Sequence, residues 1–243
     1  MTTKDLEQIV KKSITTISWD AIKLLIQPSI EIEKTDSNVH KTGDSKLGGL
    51  PDVPLNFVWP SHHHHPYRFI AQFNLTKLAT HTDLPSNGLL SVFVADTPEK
   101  EYFWGDDGYA KVFWFDNSKK LSPCQHPQGF QQPFISIKLV PSVALPLRED
   151  LIRNSLLSPE QMEELQFEIL ERQCKEMNHL LGYPFFSTLA YDPRPDETWV
   201  SLLNLASIQE LDWCWHDGDF LMLFIEKEKL AKGDFSNIQS DAG

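Results

Sequence analysis

One pattern constrains this chain more than any other: a block of strand, polar turn and strand that occurs twice. Residues 69–75 read Phe-Ile-Ala-Gln-Phe-Asn-Leu, and residues 199–205 read Trp-Val-Ser-Leu-Leu-Asn-Leu. A polar stretch follows each, closing on Gly88 in the first and on Gly218-Asp219 in the second. Then come the apolar runs 89–94 and 220–225. Asn74 matches Asn204, Leu75 matches Leu205 and Gly88 matches Gly218, each pair 130 residues apart. A Gly-x-Pro precedes each block, at Gly49-Leu50-Pro51 and Gly182-Tyr183-Pro184. Short runs rich in aromatic and branched residues, bounded by turn formers, read as strands. The pair predicts an internal duplication: two β-rich halves sharing one core.

Other segments fill in around these blocks. Leu6, Ile9, Val10, Ile14 and Ile17 recur at helical spacing over 4–17, with Thr2 or Thr3 placed to cap. Ala21–Ile26 and Ile30–Glu33 read as two strands, and 34–46 as a loop. The aromatic segment 102–116 surrounds Gly105-Asp106-Asp107-Gly108, a hairpin turn or slightly longer loop. Phe134–Val140 reads as a strand with Pro141 after it. Ser158-Pro159-Glu160-Gln161 carries an N-cap serine, proline at the first helical position and a glutamine to complete a capping box. The expectation is an α+β fold, mainly antiparallel sheet, with an N-terminal and a central helix. One domain spans 1–243: an N-terminal half over about 20–140, a helical connector over about 141–180 and a C-terminal half over about 181–238.

The chain of 243 residues has 41% hydrophobic residues, enough for a sizeable core without staples. Cys124, Cys174 and Cys214 form no close pair, so buried thiols are expected rather than disulfides or zinc. A polar N-terminus and the lack of a membrane-length apolar run predict a cytoplasmic protein. The net charge of −12 disfavours nucleic acid and anionic membrane as partners and suits a basic protein.

Laid out this way, the chain resembles the YwqG-like family, bacterial proteins of undefined activity. The residues that carry the likeness begin with Ser45-Lys46-Leu47-Gly48-Gly49-Leu50-Pro51, Trp59-Pro60 and Phe69–Leu75. Pro85 with Gly88-Leu89-Leu90 follows, then Leu181–Pro184 and Asp192-Pro193-Arg194. Trp215-His216-Asp217-Gly218, Leu223-Phe224-Ile225 and Asp234-Phe235-Ser236 close it. The match covers about residues 20–238. It departs at His216, where the family usually has a glycine suited to positive φ. The resemblance implies an internally duplicated α+β protein, mostly bacterial and cytoplasmic, and transfers no reaction.

Candidate sites follow from residue type. His62, His63, His64 and His65 offer imidazoles that suit zinc, nickel or copper, but neighbours in an extended loop diverge, so at most two can chelate one ion. The expectation is a solvated loop with adventitious metal affinity, no resident metal and no cofactor. Asp106 and Asp217 lie in acidic turns beside Trp104 and Trp215, where carboxylates can bind cations or simply close turns. Arg68, Gln72 and Arg194 adjoin the repeats and can clamp an anion or pin a loop by an ion pair. No nucleophile elbow, phosphate loop or metalloprotease helix is written in the chain. The first expectation is therefore a non-enzymatic protein- or peptide-binding module, of the kind that neutralises a basic toxin, monomeric or weakly self-associating. The alternative is an enzyme or small-ligand binder with its site between the halves, lined by Trp104, Asp106, Arg194, Trp215 and Asp217.

Overall fold

In chain order the strands are β1 (Gln27–Lys34), β2 (Lys46–Gly48), β3 (Asp52–Pro54), β4 (Ser61–His62), β5 (His65–Pro66), β6 (Arg68–Asn74) and β7 (Leu89–Val94). They continue with β8 (Ala110–Phe115), β9 (Leu121–Pro123), β10 (Phe134–Ala144), β11 (His179–Leu181), β12 (Trp199–Ala206), β13 (Phe220–Glu226) and β14 (Ile238–Ala242). The α-helices are α1 (Thr3–Ser13), α2 (Trp19–Lys23), α3 (Pro159–Gln173) and α4 (Lys227–Ala231). The computed structural model describes residues 2–14, 16–36, 39–78, 83–96, 102–117, 119–147, 157–173 and 177–243. The fold is α+β and rich in antiparallel sheet.

Ten strands form one sheet in the order β14-β13-β12-β11-β1-β10-β2-β6-β7-β8. Every pairing within it is antiparallel. The order reads alike from both ends, with β1 and β10 as the central pair. β1, although N-terminal, is bonded to β11 of the C-terminal segment, and β10 is bonded to β2. The sheet curls until its edge strands, β8 and β14, lie side by side.

The two wings match in detail. Lys46 faces Gln72 across β2 and β6, and His179 faces Asn204 across β11 and β12. The next ladder carries a bulge on each side, at Ile70 and at Leu202. Buried Gln72 accepts from the Asp52 N–H at 2.9 Å and donates to the Asp44 carbonyl at 2.7 Å. Buried Asn204 accepts from the Phe185 N–H at 3.0 Å and donates to the Met177 carbonyl at 2.9 Å. Gly48 and Leu181 both take left-handed φ, 69° and 59°. The counterpart of Asn204 in these ladders is thus Gln72, two residues from the Asn74 that the sequence aligns with it. Asn74 instead caps the 3-10 turn Leu75–Lys77 by accepting from the Thr76 N–H.

Under the β2–β6 wing lies a buried ionic group centred on Asp52. Its carboxylate, fully buried, accepts from the Gly43 N–H at 3.0 Å and from Gln72 at 2.7 Å. His40 lies 2.9 Å and Lys46 3.4 Å from the same oxygen. Burial alone would raise the Asp52 carboxyl, but the Gly43 N–H, Gln72, Lys46 and His40 together hold it below the usual carboxylate range.

Both strong helix expectations hold at their N-termini. Thr2 and Asp5 form a capping box on α1. On α3, Ser158 accepts from the Gln161 N–H while the Gln161 side chain accepts from the Ser158 N–H. Leu6, Val10, Ile14, Ile17, Met162, Leu165 and Ile169 form a separate small core between α1, α2 and α3.

Other expectations need correction. Ala21–Ile26 is not a strand: Ser18 caps α2 by accepting from the Ala21 N–H, and Ile22 and Leu25 turn into the helical core. Nor does β10 stop before Pro141, because from 137 onward its ladder runs only to β1, and a missing N–H is tolerated on the unpaired side. The thiols are not uniformly buried: Cys124 is half-buried, Cys214 is exposed, and Cys174 lies outside the described residues.

Candidate functional site

Where the sheet closes on itself, two long connections meet. One is the β7–β8 loop, described at Ala95 and Asp96 and again from Tyr102 onward. The other joins β12 to β13. Successive turns shape the first, with the Asp106 N–H donating to the Phe103 carbonyl and the Tyr109 N–H to the Asp106 carbonyl. The second makes the 3-10 turn Gln209–Leu211 and then runs on so that Leu211, Trp213 and Trp215 point inward while Asp212 and Cys214 are exposed. Ser240 on β14 fastens the first of these loops by donating to the Trp104 carbonyl.

Between them lies a cleft of about 580 Å³, within the range of small-ligand sites. Tyr102, Phe103, Trp104 and Tyr109 wall it on one side, and Trp213, Cys214, Trp215 and His216 on the other. Arg68, Phe130, Asp96 and Asp212 are also in the lining. Two residues of the second wall hold left-handed backbone without being glycine, Asp212 at φ 56° and His216 at φ 47°. Such conformations cost on the order of 1–3 kcal/mol each and gather at ligand sites. His216 thus holds a glycine-like conformation without being glycine.

Arg68 ties the walls together. Its Nε donates to Gln132 at 3.1 Å and its Nη2 to the Leu211 carbonyl at 2.8 Å. The guanidinium sits 5.3 Å over the Phe130 ring, with Asp96 4.0 Å away. Burial pulls its pKa down, against the attraction of Asp96 and Asp212. Burial likewise pushes the Tyr109 phenol up, keeping it neutral. The indole nitrogens of Trp213 and Trp215 are buried and unpaired among the described residues.

The residues singled out from sequence fall in different places. Trp104 and Trp215 stand on opposite walls of the cleft, with the Trp104 ring 5.7 Å from that of His216. Asp106 lies outside the lining and closes its own turn by accepting from the Phe103 N–H at 2.8 Å. Asp217, whose side chain is 95% exposed, projects from the neighbouring turn. Arg194 is away from the cleft, held by Asp192 at 2.7 Å. Tyr102, Phe103, Tyr109, Phe130, Asp212 and Trp213 supply aromatic and acidic lining that no single motif announces. The aromatic segment 102–116 and the alternation Leu211-Asp212-Trp213-Cys214-Trp215 were the available signals.

The four histidines form a small hairpin, with His62 facing His65 across β4 and β5. His62 stacks edge-on against Tyr102 at 4.3 Å, and His63 lies parallel to it at 5.5 Å. Tyr67 donates to the Gly108 carbonyl, and burial pushes its phenol up to about 12. The hairpin therefore buttresses the cleft wall. Among the described residues no group of three or more His, Cys, Asp or Glu could hold a metal ion. No described helix is long and apolar enough to cross a membrane.

Residues 45–241 match the model of a family described as a domain of unknown function, DUF1963. No curated protein matches the chain.

Proposed function

The chain belongs to the DUF1963 family, and we propose that it is a binding protein whose ligand enters the aromatic cleft between the β7–β8 and β12–β13 connections. The observation that supports this reading is the cleft itself, with aromatic walls drawn from both wings and two non-glycine residues in left-handed conformation. The guest is a small molecule or the protruding side chain of a protein partner. Thermal unfolding against a panel of metabolites and peptides tests the reading. A ligand at a hundred times its Kd stabilises by about 2.7 kcal/mol, or roughly 5–10 °C for a chain of this size. Phe103 lines the cleft yet is 69% exposed, so Phe103→Ala should remove most of that shift and leave the unliganded midpoint nearly unchanged. An undiminished shift in the variant would refute the assignment.

Several finer readings belong to the same proposal. We infer an internal duplication from the palindromic strand order and the matched Gln72 and Asn204 bonds, and we retain the YwqG-like resemblance on its motifs. A cytoplasmic, bacterial setting rests on the YwqG-like resemblance; a basic partner such as a toxin fits the net charge of −12, which argues against nucleic acid and membrane, and the chain is read as monomeric or weakly associating.

A further inference from the structure

The chemistry of the cleft narrows its guest. Among the described residues Arg68 is the one Lys or Arg in the lining. Its guanidinium is already engaged by Gln132, the Leu211 carbonyl and the Phe130 ring, with Asp96 beside it. An incoming anion would have to compete with these partners and approach Asp212 as well. The indole nitrogens of Trp213 and Trp215 are buried and both residues are nearly enclosed, so neither indole presents its donor to a guest. Among the described residues, what remains for a guest is the aromatic surface of Tyr102, Phe103 and Trp104, whose π-faces carry negative electrostatic potential, together with the carboxylate of Asp212 and that of Asp96, which is shared with Arg68. Asp96 is 53% exposed in its side chain, and Asp212 is exposed too. Phe130 shows how such a surface holds a planar cation, since it already carries the Arg68 guanidinium at 5.3 Å.

We propose that the cleft recognises a guanidinium-bearing organic cation, either a free molecule or an arginine side chain of a partner, by aromatic stacking and by the carboxylates of Asp96 and Asp212. This rests on the reading of the cleft as a ligand site. A delocalised, weakly hydrated cation suits aromatic faces better than a compact ammonium. The cleft's volume of about 580 Å³ accommodates a group of that size.

The test uses the full chain and three probes: N-acetylarginine amide, its neutral isostere N-acetylcitrulline amide, and N-acetylglutamate amide. Binding is read by tryptophan fluorescence and calorimetry, with an arginine-bearing peptide beside the free amide to distinguish the two sources. The arginine probe should bind about tenfold more tightly than citrulline, more weakly at higher salt, with glutamate weakest. Asp212→Asn should lower arginine affinity about fivefold and leave citrulline unchanged, because the substitution removes charge while asparagine tolerates the left-handed φ of 56°. Equal binding of arginine and citrulline, or preference for glutamate, overturns the cation assignment. If another ligand shows Phe103-dependent binding while arginine does not bind, this inference alone falls. If no probe or panel ligand binds, the reading of the cleft falls with it.

Discussion

Replacing Gln72 and Asn204 in turn by leucine tests whether the two wings are held by the same device and whether one carries an additional load. Both side chains are fully buried. Asn204→Leu removes the acceptor of the Phe185 N–H and the donor to the Met177 carbonyl. A buried polar group stripped of its partner costs about 1–3 kcal/mol, so the pair predicts a loss of about 2–6 kcal/mol. Gln72→Leu makes the corresponding losses at the Asp52 N–H and the Asp44 carbonyl. It also removes the 2.7 Å bond to the Asp52 carboxylate, a charge-assisted contact of about 1.5–3 kcal/mol. Gln72→Leu should therefore destabilise more than Asn204→Leu, by about 2 kcal/mol. Equilibrium urea unfolding at pH 7, followed by fluorescence and circular dichroism, measures both. A loss below about 1 kcal/mol in either variant, or an Asn204 variant less stable than the Gln72 variant, would refute the reasoning.

Two further predictions concern stability. The folded pKa of Asp52 lies below its ordinary 3.8, so its stabilisation is fully present above that value and is lost as pH falls through the folded pKa; Asp52→Asn should flatten this acid limb in urea titrations at pH 5 and below. A Cβ on Gly48 would stand 2.4 Å from the Pro133 carbonyl oxygen, whereas one on Gly43 would meet nothing within 4 Å. Both glycines have positive φ, so Gly43→Ala should cost about 1–2 kcal/mol and Gly48→Ala distinctly more, as read by thermal unfolding.

Much of this architecture is legible in the sequence because local chemistry and tertiary need agree there. Strands β6, β7, β12 and β13 are apolar enough to announce themselves, and Ser158 and Gln161 mark the start of α3 by a bonding pattern of their own. β14 was illegible. Ile238-Gln239-Ser240-Asp241-Ala242 has weak strand propensity and is extended because β13 supplies its ladder. Ala21–Ile26 misled because a short apolar run does not reveal its period, and the cap at Ser18 decided it. The cleft was half visible. Trp104 and Trp215 stood out as tryptophans beside turns and Arg68 as an anion clamp or loop pin, but Phe130 and Asp212 join them only through the curl of the sheet. Asp106, Asp217 and Arg194 carry charges that serve their own turn, face solvent or pair with Asp192.

The position of β1 has a consequence for the order in which the chain can assemble. Ile30 is paired with Pro141 on one side and Leu180 on the other. During synthesis β6, β7 and β8 can zip as neighbouring hairpins, while β1 must wait for partners made more than a hundred residues later. Contacts of such separation slow folding and leave strand edges open meanwhile. The family match starts at residue 45, beyond β1. A chain begun there would lack the strand that joins the wings, leaving β10 and β11 as new edges, and would be prone to pair with its own copies.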